Sequence, residues 1–430
     1  MKTIKILFLL IFIPAALFAQ RATLKGKIVD AVSNEPLPFV NVIVSGTNTG
    51  TSTDLNGNFT LTGLTPGFIR IEASFVGYKQ AISPEIEVTV ANANSIEIKM
   101  EEQKEQIEEV VVKASPFRKT EESPVSLRTI GIGEIEKSPG ANRDISKVIQ
   151  SFPGVQSTPA FRNDIIIRGG GPSESRFYLD GVEVPFINHF ATQGASGGPV
   201  GIINADFIRE VNYYSGAFPA NRGNALSGVL EFNQVDGNPD KTNLQFTLGA
   251  SEIAATADGP IGEKTTYVIS ARRSYLSFLF GILELPFLPT FNDLQFKVRT
   301  RIDAKNEITF IGLGAIDKNE LNLEIEEPDE SQQYILSQLP ENKQWSYSVG
   351  GVYKHFEKHS FQTLVVSRSH FNNSAVKYLE NDDSFEANKI LDYSSEEMEN
   401  KIRFENTSRF GDVKFNVGAN VDFAGYKNST

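Results

Sequence analysis

Apolar side chains recur at every second position in short runs between residues 22 and 100. The runs are Leu24/Gly26/Ile28, Val40/Val42/Val44, Phe59/Leu61, Ile69/Ile71/Ala73/Phe75, Ile86/Val88/Val90 and Ile96/Ile98. A period of two gives a pleated strand one apolar face. Turn-forming clusters separate the runs: SNEPLP, SGTNTGTSTDLNGN, TGLTPG and VGY. Short strands at this spacing predict a small β-sandwich over residues 20–100.

The pattern then breaks. Residues 101–122 are charged and hold one apolar island, Val110–Val112, in the stretch IEEVVVKAS. Such a composition does not bury a core and predicts a flexible linker. From 123 to 235 the signals are mixed. NRDISKVIQSF places Ile145, Val148, Ile149 and Phe152 on one face of a short helix, stopped by Pro153-Gly154. DIIIRGGG reads as a strand entering a glycine turn, and FYLDGVEVP as a hairpin turning at Asp180-Gly181. These segments predict a glycine-rich α+β domain.

Beyond residue 240 alternation returns in longer runs. Strands are predicted at 242–250, 252–260, 264–274, 292–303, 306–316, 344–356, 359–371, 397–409 and 412–424. DLQFKVRTRID sends Leu294, Phe296, Val298 and Ile302 to one face and Gln295, Lys297, Arg299 and Arg301 to the other. VKFNVGANVDF repeats this, with Val413, Phe415, Val417, Ala419, Val421 and Phe423 opposite Lys414, Asn416, Asn420 and Asp422. Such strands fit a transmembrane barrel and equally a soluble sandwich. The connections discriminate: short turns (GPIGEK, DAKN, FEKHS, FGD) alternate with long polar loops, as in outer-membrane barrels. The short connection near Ser251 departs from that rule.

Composition narrows the chemistry. The N-terminus has a basic start (Lys2, Lys5), the apolar run ILFLLIFI and Ala19 before Gln20. This predicts a signal peptide over residues 1–19, the run being shorter than the roughly 20 residues of a membrane span. The chain has no Cys, which removes thiol chemistry, and its net charge of −12 argues against nucleic-acid binding. DLNGN at Asp54–Asn58 reads as an Asn-Gly turn, because the twelfth position of a calcium loop would be Thr65. Gly169–Gly171 lacks the flanking residues of a phosphate cradle. His355 and His359 do not form a zinc motif, and neither His189 nor His370 has an evident partner in the sequence. No catalytic, metal-binding or cofactor-binding set emerges, so the chain reads as a non-enzyme.

GKIVDAVSNEPLPFVNVIVSGTNTGTSTDLNGNFTLTGLTPG, with the following SFVGYK, resembles the carboxypeptidase-regulatory-like (transthyretin-like) domain, an accessory without catalytic residues. Five further stretches follow in order: EEVVVKAS, SKVIQSFPGVQ, IIIRGGGPSESRFYLDGVEVP, IREVNYYSGAFPANRGNALSGVLEF and GPIGEKTTYVISARRSYL. Together they resemble the TonB-dependent outer-membrane receptors of the Bacteroidetes type. The resemblance implies a mainly β protein: the N-terminal sandwich, a linker, a plug over 123–235, and from 240 to 430 about nine strands of a barrel expected to have 22. On that count, and from the ending GYKNST, the chain is expected to be a C-terminally truncated fragment with an incomplete wall.

The resemblance also implies roles. Glu108, Glu109, Val110, Val111, Val112, Lys113 and Ala114 would form the TonB box, a strand gripped by TonB of the inner-membrane energising complex through β-augmentation. Pro153, Gly154, Arg168, Gly169, Asp180 and Gly181 would be structural plug positions. Lys297, Arg299, Arg301, Arg272 and Arg273 would face the lumen, either as a basic lining for an anionic ligand or, the favoured reading, paired with the plug. Expected partners are TonB, outer-membrane lipid, an imported ligand (siderophore, glycan, peptide or vitamin) and, left open, a surface lipoprotein. The competing readings are a secreted β-domain adhesion or binding protein and an exported peptidase, the latter disfavoured because no zinc ligands are readable.

Overall fold

The structure is a computed structural model and describes residues 21–90, 95–103, 127–141, 144–156, 162–195, 197–411 and 413–430. The expected signal peptide and the TonB box lie outside the described residues, as does nearly all of the expected linker. The chain divides into two compact units, Met1–Gln106 and Ile107–Thr430.

The first unit is a sandwich. Its strands are β1 (Ala22–Asp30), β2 (Asn41–Val44), β3 (Gly50–Ser52), β4 (Asn58–Leu64), β5 (Gly67–Ile69), β6 (Ile71–Ser74), β7 (Ala81–Ile82), β8 (Ile86–Val88) and β9 (Ser95–Met100). One sheet has the order β4-β1-β9, another β3-β2-β6-β7, and β5 pairs with β8. Leu24, Ile28, Val42, Phe59, Leu61, Ile71 and Val88 meet in the core, the face set by their alternation. Gly26 keeps the apolar phase without a side chain because the Phe59 ring fills that place. A Cβ there would lie 2.3 Å from Phe59 Cζ. DLNGN is a turn: Asp54 Oδ1 accepts the amides of Asn56 and Asn58, and Gly57 has φ 75°. Val90 departs from its expected place on the apolar face, being 43% exposed, because β8 ends at Val88.

The second unit opens with an α+β domain. It contains β10 (Leu127–Gly131), α1 (Ile132–Lys137), α2 (Ile145–Gln150), β11 (Val155–Gln156), β12 (Ile166–Ile167), β13 (Ser175–Leu179), β14 (Val182–Val184), β15 (Asn188–His189), β16 (Val200–Gly201), β17 (Ile208–Tyr214) and β18 (Gly228–Gln234). The main sheet runs β10-β17-β18-β13-β14. Asp144 starts α2 by accepting the Ser146 amide, and Ile145, Val148, Ile149 and Phe152 are buried at the helical spacing. β13 turns into β14 through Asp180 (φ 45°) and Gly181 (φ 89°), both left-handed as a two-residue hairpin turn requires.

Nine antiparallel strands follow, paired in chain order. They are β19 (Asn243–Leu248), β20 (Glu252–Ile261), β21 (Thr265–Ser274), β22 (Phe287–Arg301), β23 (Asn306–Leu321), β24 (Glu341–Glu357), β25 (Ser360–Tyr378), β26 (Lys389–Phe410) and β27 (Val413–Ser429). The sheet is open, β19 and β27 each having one neighbour. The number of strands matches the sequence expectation, but their lengths do not. The segment predicted as 359–371 is β25, and that predicted as 397–409 is β26. NNSAVKY and KILDYSSEE lack one-sided alternation and so read as loops, yet their backbones continue the ladder. The remaining long connections hold α3 (Leu276–Ile282) and α4 (Glu330–Gln338), the second closed by a capping box between Asp329 and Gln332.

One face of this wall packs on the α+β domain. Ile311, Leu313, Ala315, Val352 and Val365 share a core with Ile149, Val182, Leu230 and Phe232. The other face is apolar and exposed, through Phe246, Leu294, Phe310, Val366, Ile402 and Phe423 among others. Gln295 and Lys297 are buried on the inner face, as their alternation predicts. Arg273 corrects the expectation of five inward cations: it follows the inward-facing Arg272 on a strand, so its side chain leaves by the outer face and is exposed.

Candidate functional site

The contact between the α+β domain and the inner wall is the part of the structure richest in buried charge. Three clusters make it, each joining residues far apart in sequence.

The first lies at the Asp180-Gly181 hairpin. Asp180 accepts the Gln234 amide at 3.0 Å and its side-chain nitrogen at 2.9 Å, which ties the turn to β18. Lys297 on β22 reaches across, its ammonium 3.3 Å from Asp180 and 2.8 Å from Asp236. Arg299 lies 2.5 Å from Asp236 and 2.6 Å from Glu307. Burial works against the charge on Asp236, but Arg299 and Lys297 overcome it and hold its carboxyl well below the usual range. Gln295 completes the cluster, accepting the Asn204 amide and donating to Gln234 Oε1.

The second cluster centres on His189 in β15. Its Nδ1 is 2.8 Å from Asp317 of β23 and its Nε2 is 3.0 Å from Asp293 of β22. The ring stacks on Phe291 with centroids 4.2 Å apart and is fully buried. A neutral imidazole donates one hydrogen bond; two carboxylates, one at each nitrogen, require both to donate and so select the imidazolium. Burial opposes that charge, but Asp317 and Asp293 outweigh it and push the His189 pKa up to about 9. Arg272 bonds Asp293 at 3.0 Å through Nε, while its Nη2 donates to the Gly201 and Ile202 carbonyls. Asp317 also accepts the Phe190 amide at 2.7 Å. His189 thus corrects the sequence expectation that it lacks a partner.

The third cluster joins Arg222, Glu231 and Glu405. Arg222 Nε donates to Glu231 at 2.6 Å and Nη1 to Glu405 at 3.3 Å, with the guanidinium over the Tyr178 ring at 4.7 Å. Arg403 donates to the Gly181 carbonyl at 2.7 Å, and Lys401 lies 2.8 Å from Glu183.

The remaining predicted residues shape backbone rather than chemistry. Gly154 (φ 81°) presents its carbonyl to the Arg168 amide at 2.8 Å, and Arg168 and Gly169 are both left-handed, at φ 50° and 78°. Pro153 directly precedes that turn, after α2. Arg301 sits 4.0 Å from Glu307. His355 bonds Asn306, and His370 lies between the Trp345 and Tyr347 rings. Among the described residues no group of three or more His, Asp or Glu side chains is placed to hold a metal ion. What the three clusters offer is an interface of directional, breakable contacts.

Two families match this architecture in turn. Residues 24–112 match the CarboxypepD_reg-like domain, and residues 119–229 match the TonB-dependent Receptor Plug Domain. The chain carries a CarboxypepD_reg-like domain followed by a TonB-dependent receptor plug domain. The α+β domain is its plug. The first match extends through residue 112 and so includes the Val110–Val112 island. The TonB-dependent receptor SusC of Bacteroides thetaiotaomicron is 33% identical over 173 residues, 39% of this chain and 16% of the relative. The TonB-dependent receptor P39 of Formosa agariphila is 28% identical over 214 residues, 47% of this chain and 19% of the relative. These alignments cover under a fifth of each relative.

Among solved structures, a ferric enterobactin receptor (PfeA) in complex with BCV-L6 superposes with TM-score 0.52 at 15% identity, over 70% of this chain and 50% of that one. A PfeA mutant from Pseudomonas aeruginosa gives TM-score 0.51 at 14% identity, over 69% and 49%. At these identities the likeness is one of fold: a plug inside a β-wall.

Proposed function

We infer that the chain is part of a TonB-dependent receptor that imports a scarce ligand across the outer membrane. The observation that carries the reading is a plug held by buried, separable ion pairs against a wall whose other face is apolar and exposed. A structural pillar would bury that outer face against protein. A gate in a membrane wall needs lipid on one side and a removable stopper on the other.

In this reading Glu108–Ala114 is the handle. A strand of alternating contacts, pulled by TonB, loads its hydrogen bonds together and passes force to the plug. The N-terminal sandwich and the handle lie in the periplasm, and the long connections lie outside. Ligand identity and any surface lipoprotein are left open by every residue named above. The competing secreted-adhesin reading predicts no requirement for detergent and no response to TonB.

The test is Val111→Pro, which removes a ladder donor at the centre of the handle. Capture of the full chain by the purified periplasmic domain of TonB should fall at least tenfold, while the chain still fractionates with the outer membrane. Undiminished capture would end the coupling assignment.

A further inference from the structure

On the outer face of the wall, Arg368 is a cation held without a carboxylate partner among the described residues. Arg368 of β25 points outward: Ser367 and Ser369 on either side are buried, and Val349, its partner across β24, is 40% exposed. Its guanidinium is held by neutral groups alone. Nε donates to Tyr347 Oη at 3.0 Å, Nη1 to Asn400 Oδ1 at 2.9 Å, and Nη2 meets Met398 Sδ at 3.5 Å. Among the described residues no carboxylate forms an ion pair with it. The next charged outward residues, Glu396 and Lys427, face each other across the β26–β27 ladder, one ladder row beyond Met398.

Arg368 also lines a groove. Phe296, Phe310, Val349, Val366, Ile402 and Phe423 line a shallow channel of about 430 Å³ on this outer face, with Gly351 in its floor. Phe296, Val349, Asn400 and Phe423 lie in the same ladder row as Arg368, and Phe310, Gly351, Val366 and Ile402 lie in the next row towards the short turns. Beyond Arg368, on the side of the long connections, His370 lies against the Trp345 ring at 4.6 Å, and its Nε2 is buried without a partner. Eight residues separate Arg368 from Ser360 at the short turn. At about 3.3 Å per residue and a tilt near 45°, that places it roughly 20 Å up a band about 25 Å tall. On the outer-membrane reading this height is where hydrocarbon gives way to headgroups.

We propose that this groove is a lipid site, in which a phosphate-bearing headgroup pairs with Arg368 and an acyl chain lies along Gly351 between Phe310 and Val366. A guanidinium in hydrocarbon without an anion is costly, and phosphate oxygens match its fork of donors. A lipid supplies anion and chain in one molecule, and the groove offers both halves in the order an outer-leaflet lipid presents them. The site rests on the outer-membrane reading above.

The test uses the full chain in detergent, incubated separately with phosphatidylglycerol, with diacylglycerol of the same chains and with inorganic phosphate, then examined by native mass spectrometry. Phosphatidylglycerol should be retained by the wild type. Arg368→Gln, which keeps hydrogen bonding and removes the charge, should retain it at least tenfold less while holding diacylglycerol as before. Gly351→Leu, which fills the floor and leaves the guanidinium alone, should lower retention of both lipids. Unchanged phosphatidylglycerol retention in Arg368→Gln overturns the site. So does full displacement by inorganic phosphate together with indifference to Gly351→Leu, which describes a free-anion site. Flotation of wild type and Arg368→Gln on vesicles tests the membrane reading separately, since a single groove does not decide whether the wall enters a bilayer. Matching circular dichroism of the variants secures their fold.

Discussion

His189 Nδ1 lies 2.8 Å from Asp317 Oδ1, joining the plug's β15 to the wall's β23 across 128 positions of sequence. Asp293 takes the other ring nitrogen, so a cation on the plug is balanced by two carboxylates on the wall. A His raised from its ordinary 6.5 to about 9 contributes stabilisation that is complete below about 6.5 and is lost as pH rises through about 9. A shift of that size corresponds to on the order of 3 kcal/mol. Hydrogen-exchange protection of the Phe190 amide, whose acceptor is Asp317, should therefore hold steady from pH 5 to 7 and fall steeply between about 7 and 9. In His189→Gln the protection should be lower and lose this step. A ring found neutral at pH 7 by nitrogen NMR would refute the latch, and with four histidines in the chain the assignment is tractable.

Lys297 is the second point of attachment. Its removal leaves Asp180 without its cation and Asp236 with Arg299 alone. Breaking a buried pair by deleting one partner costs about 3–5 kcal/mol. Lys297→Met should lower the urea concentration at which the plug becomes protease-sensitive. Adding Asp180→Asn should restore part of the loss, because it removes the orphaned charge. A double variant no better than the single would mean that Lys297 acts through packing instead.

Two glycines of the His189 loop should answer differently to the same substitution. A Cβ on Gly198 would fall 1.4 Å from the His189 carbonyl oxygen, so Gly198→Ala must move backbone. Overpacking of this kind costs about 1–3 kcal/mol and should displace His189 from its carboxylates. Gly194 has nothing within 4 Å of its would-be Cβ but stands at φ 69°, so Gly194→Ala carries conformational strain of about 1–2 kcal/mol alone. The nitrogen NMR signature of His189 should change in Gly198→Ala and persist in Gly194→Ala.

The sequence made the wall legible where one face is apolar and the other polar: Leu294 against Gln295 and Lys297 sorted inside from outside correctly. It made the sandwich legible for the same reason, and the short helix through the spacing of Ile145, Val148, Ile149 and Phe152. Strand length was hidden where both faces are polar, as in NNSAVKY, because alternation has no amplitude there. Arg273 was placed inward with Arg272, although adjacent residues on a strand face opposite ways; the period of two could have separated them. The His189 latch left no local trace. Its partners stand 104 and 128 residues away, and only the seating of the plug brings Asp293 and Asp317 to one ring.

Leu364 distinguishes a membrane wall from a soluble one. It lies on the outer face of β25, 38% exposed, four residues from Ser360 and so well within the apolar band. An arginine on the lipid face costs about 2–4 kcal/mol near the bilayer midplane. On the surface of a water-soluble sheet the same change is worth within about 0.5 kcal/mol either way. Leu364→Arg should therefore cut the yield of chain inserted into vesicles several-fold, while Leu364→Met inserts like the wild type. Arg368 stays in its place one or two turns of the ladder higher in both variants, so the loss reads depth and not charge as such. Normal insertion of Leu364→Arg, or a wild type that remains dispersed in water without detergent, would assign the apolar face to a protein partner and remove the membrane from the account.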